Sequence, residues 1–155
     1  MTKKIVFVCT GNICRSAMAH GYMQKRLKDI GKENEYIITS TGTNAYTGDR
    51  ATKFATVAIS KYGVDLNYHR ATHVEESDIR EADLILCMTQ SHKRRVLDRY
   101  PRLEKITYTL KEYTGEIEYI DIDDPWGYNL EVYDSCAKEI VSYVDKLIEK
   151  VSRGE

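Results

Sequence analysis

The stretch Ile5-Val6-Phe7-Val8-Cys9-Thr10-Gly11-Asn12-Ile13-Cys14-Arg15-Ser16 constrains this chain more than any other. Four consecutive apolar residues fit a short strand covered on both faces, the kind found in a parallel sheet. That strand ends on Cys9, Gly11-Asn12 supply a tight turn, and Arg15-Ser16 open a segment of helical periodicity. A phosphoryl group needs inward-pointing N–H donors, a fixed cation and a nucleophile beneath it. Turn residues let successive amides converge into a nest, and a helix start adds positive potential. The same field favours a thiolate at that point, and an arginine fork matches two phosphoryl oxygens. Singly, a cysteine ending a buried strand is a small hydrophobe and Gly-Asn only a turn. Strand, Cys, five residues, Arg-Ser and helix in that order make a cradle for a phosphoryl group with a thiol in it.

Length and charge narrow the setting. A chain of 155 residues fits one domain, 1–155, and can bury about two thirds of its unfolded surface without staples. A net charge of −1, with both signs well mixed, argues against nucleic acid or a charged membrane surface as partner. No apolar run reaches the roughly 18 residues of a spanning helix, and Met-Thr-Lys-Lys-Ile lacks a signal-peptide core. The four cysteines, 9, 14, 87 and 136, form no secreted framework, so a reducing cytoplasm is the expected location. Cys9 and Cys14 lack a second ligand pair at zinc spacing, so neither metal nor other cofactor is expected.

Along the chain, strands are expected at 4–9, 36–40, 84–88 and 105–110, and helices at 16–30, 50–62, 90–99 and 130–151. Ser16 can cap the first helix, and Gly31 and Gly63 stop the first two. One short helical stretch is expected over 75–81, and a long acidic loop over 114–129. The last helix carries Val132, Cys136, Ile140, Val144, Leu147 and Val151 as its apolar stripe. Strands alternating with helices imply a three-layer α/β/α fold on a small four-stranded parallel sheet. Ligands of such sheets bind beyond the C-terminal strand ends, where Cys9 falls.

A phosphate ester cleaved by a cysteine also needs a carboxylic acid, to protonate the leaving oxygen and later to activate water. Ile120-Asp121-Ile122-Asp123-Asp124-Pro125-Trp126-Gly127 offers three, which spacing alone does not separate. Asp124 is held extended by the following proline, and Trp126 can wall a planar group.

These motifs resemble, over nearly the whole length, the low-molecular-weight protein tyrosine phosphatases of the bacterial type. The resemblance rests on residues 8–16, Ser40-Thr41-Gly42-Thr43, Leu86-Cys87-Met88 and Asp124-Pro125-Trp126-Gly127. The acid loop stands about 110 residues after the cysteine, whereas other C-x5-R phosphatases place it before. The resemblance implies that Cys9 is the nucleophile and forms a phosphocysteine. It implies that Arg15 binds phosphate with the amides of Thr10, Gly11, Asn12, Ile13 and Cys14, and that Asp124 is general acid and then base. Ser16 would hydrogen-bond the Cys9 sulfur, and Asn12 would hold the turn, with Ser40 and His69 in support. Tyr46, Trp126 and Ile13 would contact the substrate. Cys14 would be a redox partner able to form a reversible disulfide with Cys9. The implied partner is a phosphotyrosine protein, a bacterial tyrosine kinase among the candidates, and a monomer or weak dimer is expected.

Three positions depart from the family: Ala17 in place of a proline, His20 in place of an acidic residue, and Pro-Trp-Gly-Tyr in the acid loop. The departure at 20 puts the helix contact of that residue in doubt. Protein-arginine phosphatases share the loop but carry threonine where Ile13 stands, which favours phosphotyrosine here. The segment Met88-Thr89-Gln90-Ser91-His92-Lys93 nonetheless resembles their branch. Arsenate reductases of the fold need a further cysteine pair that this chain lacks. A non-catalytic phosphopeptide-binding module would tolerate loss of Cys9 or Asp124, and both are present.

Overall fold

The computed structural model describes residues 2–154. Four strands, β1 (Lys3–Cys9), β2 (Tyr36–Gly42), β3 (Leu84–Cys87) and β4 (Thr107–Thr109), form one parallel sheet in the order β2-β1-β3-β4. Helices α1 (Arg15–Asp29), α2 (Lys53–Ser60), α3 (Gln90–Arg99), α4 (Leu110–Tyr113) and α5 (Leu130–Ser152) complete three layers.

The central strand explains its own composition. Ile5, Phe7 and Cys9 pack into a core with α1 and α5, whereas Val6 and Val8 pack on the opposite face with Ile79, Ile85 and Val96. A strand buried on both faces has no position for a polar side chain, hence the unbroken apolar run. β1 continues to β2 on one side and meets β3 on the other, so the chain reverses direction across the sheet at β1. Parallel α/β sheets open their ligand crevice at such a reversal. Cys9 ends β1 there, beside Gly42 of β2.

Several boundaries differ from the sequence expectation. The first helix opens at Arg15 with Cys14 as its cap residue and no side-chain cap bond, so Ser16 lies inside the first turn and its hydroxyl faces Cys9. The stretch 75–81 is two 3₁₀ turns, Val74–Glu76 and Ile79–Glu81. Residues 101–106 wind as 3₁₀ after Pro101, shortening the fourth strand to three residues. The expected loop at 114 is preceded by the short helix α4, opened by a Thr109–Glu112 capping box. On α5, Tyr133 is buried where Val132 was expected, and Val132 is exposed. Tyr133 turns inward because its hydroxyl finds partners there, Cys14 and Thr52.

Candidate active site

Residues 10–14 leave β1 and return into α1 as a closed loop pinned chiefly through Asn12. This residue is completely buried with φ 58°, a left-handed conformation that asparagine tolerates better than most side chains. Every polar group it has is engaged. Its N–H donates to Cys9 Sγ (3.3 Å), its side-chain amide donates to Ser16 Oγ (2.8 Å), and its Oδ1 accepts from the Thr72 N–H (3.0 Å). Its carbonyl lies 2.7 Å from His69 Nε2. Ser16 Oγ is in turn 2.9 Å from Cys9 Sγ. The sulfur thus sits among groups that can donate to it, at the start of a helix.

Arg15 is buried and fixed from behind: one terminal nitrogen donates to the Ile122 carbonyl at 2.8 Å. Its other terminal nitrogen faces Asp124 Oδ2 at 3.5 Å, and its buried Nε–H has no partner among the described residues. A buried guanidinium N–H without a partner is costly, and an oxyanion lying over the loop would satisfy it.

The three carboxylates of the acid loop separate once their partners are seen. Asp121 accepts from the Gln90 N–H at 2.8 Å, at the start of α3, and Asp123 accepts from the Tyr119 hydroxyl. Asp124 accepts from the Trp126 N–H with one oxygen (3.1 Å), closing a turn after Pro125, and presents the other to Arg15. Of the three, Asp124 alone lines the cavity that holds Cys9. The loop is tied down through Ile122, completely buried, whose N–H donates to the Met88 carbonyl and whose carbonyl takes Arg15.

That cavity measures about 480 Å3. Cys9, Thr10, Gly11, Ile13, Cys14 and Arg15 form its floor, and Tyr46, Asp124 and Trp126 stand above it with Asn44 and Asp49. Tyr46 and Trp126 are 75% and 63% exposed, so the rings form an open entrance that a flat substrate group can cover. A groove of about 550 Å3 between Thr43, residues 73–75 and α3 is larger but is lined by no cysteine.

The supporting shell also differs in detail from expectation. His69 reaches Asn12 directly. Ser40 bonds His20 Nδ1 at 2.7 Å, and the His20 ring meets His69 edge-on at 6.1 Å. His20 thus fills the place of the expected acidic residue with a neutral contact, and burial pushes its pKa down to about 4. Burial also lowers His69. Cys14 is buried, 3.3 Å from the Tyr133 hydroxyl and 3.7 Å from that of Thr52, and burial raises its pKa. All four cysteines are free thiols here. Sequence reasoning missed Tyr133, Thr52, Asn44, Asp49 and His92. Of these only His92 stood in a stretch already singled out, and nothing in its spacing showed where its ring points.

Known proteins resemble the chain over nearly its whole length. Residues 4–155 match the profile of the family described as low molecular weight phosphotyrosine protein phosphatase. The chain is 33% identical over 152 residues to a protein-arginine-phosphatase of Geobacillus stearothermophilus, covering 97% of each. It is 35% identical over 145 residues to a low molecular weight protein-tyrosine-phosphatase of Staphylococcus epidermidis, covering 93% of this chain and 96% of that one. Its fold superposes with a TM-score of 0.89 on the crystal structure of a low molecular weight protein tyrosine phosphatase from T. tengcongensis. The two are 41% identical, with 96% and 99% of the respective chains covered.

Proposed function

Because the chain belongs to the low molecular weight phosphotyrosine protein phosphatase family, we propose that it hydrolyses phosphotyrosine in proteins through a phosphocysteine on Cys9. The observation that carries this reading is the convergence of Cys9, Arg15 and Asp124 on one cavity, with the arginine and the carboxylate 3.5 Å apart. The Cys9 thiolate attacks phosphorus while Asp124 gives its proton to the departing phenolate. Asp124 then takes a proton from water, which attacks the phosphocysteine, releasing phosphate and the thiolate. Arg15 and the amides of Thr10 to Arg15 hold the three equatorial oxygens throughout. Ser16 and Asn12 keep the sulfur in place, and His69 and Ser40 brace the turn behind them, Ser40 through His20. Tyr46, Ile13 and Trp126 contact the aryl ring. Cys14, on the floor of the same cavity, is the candidate partner for a reversible disulfide with Cys9.

A second reading has a specific observation in its favour: the relative from G. stearothermophilus is named a protein-arginine-phosphatase. Ile13 lines the cavity of this chain, and its bulk over the floor supports the flat, apolar phosphotyrosine ring. Rates on phosphotyrosine, phosphoserine and phosphoarginine peptides, measured side by side in EDTA, test both. Tyrosine preference is expected, with Cys9→Ser inactive but still binding vanadate. A faster rate on phosphoarginine would replace the first reading by the second, and binding without turnover by the wild type would leave a phosphopeptide-binding module. The substrate this reading implies is a phosphotyrosine-containing protein, a bacterial tyrosine kinase among the candidates.

A further inference from the structure

His92 is a buried polar side chain, only 4% exposed, and its ring reaches Thr10 of the cradle. It lies in the first turn of α3. Its Nε2 is 2.8 Å from Thr10 Oγ1, and its Nδ1 is 3.0 Å from Thr89 Oγ1. Thr89 is the cap of α3 and already accepts from the His92 N–H at 3.2 Å. A threonine hydroxyl has one proton, and among the described residues no other acceptor stands by that of Thr89. Donated to Nδ1, that proton leaves Nε2 as the N–H that gives to Thr10. The opposite tautomer would leave the half-buried Thr89 proton only solvent to bond and would consume that of Thr10. The ring is held neutral by burial, with the Arg15 and Arg95 charges adding to the effect, and its pKa is pushed down to about 3.

Resting on the phosphatase reading, we propose that His92 is a positioning residue for the cradle. It accepts from Thr89 and donates to Thr10, so that the Thr10 hydroxyl is left to give its own proton to a phosphoryl oxygen. Thr10 is the first residue after Cys9 and lines the cavity. Its carbonyl is already taken by the Asn44 N–H at 2.9 Å, which fixes the backbone but leaves the side chain to rotate. A hydroxyl that must choose between rotamers loses part of its value to a bound anion. One clamped at its oxygen by a buried donor is oriented before the anion arrives. The chain Thr89, His92, Thr10 therefore aligns three donors toward the place where negative charge collects.

The test compares wild type with His92→Asn, His92→Gln and Thr10→Val. Asparagine reaches only the Nδ1 position and keeps the Thr89 contact, whereas glutamine reaches the Nε2 position and keeps the Thr10 contact. Inhibition by inorganic phosphate, checked by calorimetric titration, should weaken about tenfold or more in His92→Asn and Thr10→Val, as for loss of one hydrogen bond to a charged group. His92→Gln should restore it, and His92→Asn with Thr10→Val should lose no more than either alone. The pH profile for alkylation of Cys9, followed by mass spectrometry, should be unchanged in His92→Asn, since the sulfur's own contacts remain. Phosphate affinity equal to wild type in His92→Asn overturns the proposal. So does equal damage by asparagine and glutamine with a displaced alkylation profile, which would make the ring a packing support. If His92→Asn does not fold, unchanged phosphate affinity in Thr10→Val overturns it alone. If the wild type fails to cleave an aryl phosphate, the proposed function falls, while calorimetric phosphate binding still reads the His92–Thr10 couple.

Discussion

Asp121, Asp123 and Asp124 have the same chemistry and nearly the same position in sequence, yet their partners give them different work. Asp124→Ala should slow aryl phosphate cleavage by about 10²–10⁴-fold, the usual worth of a positioned acid. Asp121→Ala removes a helix-start acceptor and should cost about 1 kcal/mol of stability with chemistry nearly intact. Steady-state rates together with urea midpoints separate the two, and equal loss of rate in both variants would show the acid misassigned. Ile13 is the comparable case for specificity. Ile13→Thr shortens a side chain on the cavity floor and should raise the phosphoarginine rate relative to phosphotyrosine. An unchanged ratio would remove Ile13 from substrate choice.

Between elements, the cradle depends on how closely β2 passes it. A Cβ on Gly42 would stand 2.4 Å from the Thr10 carbonyl, 2.9 Å from Ala45 Cβ and 3.0 Å from the Asn12 N–H. The first and last of these atoms are backbone and cannot rotate away. Gly42→Ala should therefore push the loop off its position, lowering kcat/KM by more than tenfold, in line with the sensitivity of catalysis to displacements of about 1 Å. Wild-type kinetics in that variant would mean the cradle is softer than its hydrogen bonds suggest. The same strand shows why a glycine here is not a mere turn signal. Its φ is ordinary, and the constraint is the carbonyl of Thr10 pressed against it, which no local pattern in Ser40-Thr41-Gly42-Thr43 displays.

Across the whole molecule, the sheet order gathers the cradle, the Ser40 turn and the acid loop at one end, and buried histidines hold the joints between them. His92 and His20 have pKa values near 3 and 4 in the folded protein, against 6.5 when exposed. Below pH 6.5 the unfolded chain binds protons that these folded rings refuse, so stability falls as pH drops from about 6.5 toward 4. It is fully present above that window. Each ring contributes up to about 1.4 kcal/mol per pH unit within it. Urea unfolding at pH 7 and pH 5, above most carboxylate titration, should show the loss, and His92→Gln should reduce it; a flat curve would contradict the burial.

The sequence by itself determined the strand, the cradle with its cysteine and arginine, the alternating α/β order and a downstream acid loop. Each of these is written in a local spacing or in the periodicity of a single element. The family resemblance, not any local spacing, named His69 and Ser40 as supports; the structure shows His69 against the Asn12 carbonyl and Ser40 against His20. Only the tertiary structure decided which of three aspartates faces Arg15, that His20 links Ser40 to His69, that Tyr133 stands against Cys14, and that His92 holds Thr10. Those contacts join residues 20 to about 120 positions apart. A side chain's partner at that distance is set by sheet order and by which faces the helices bury, and these follow from packing the whole chain at once.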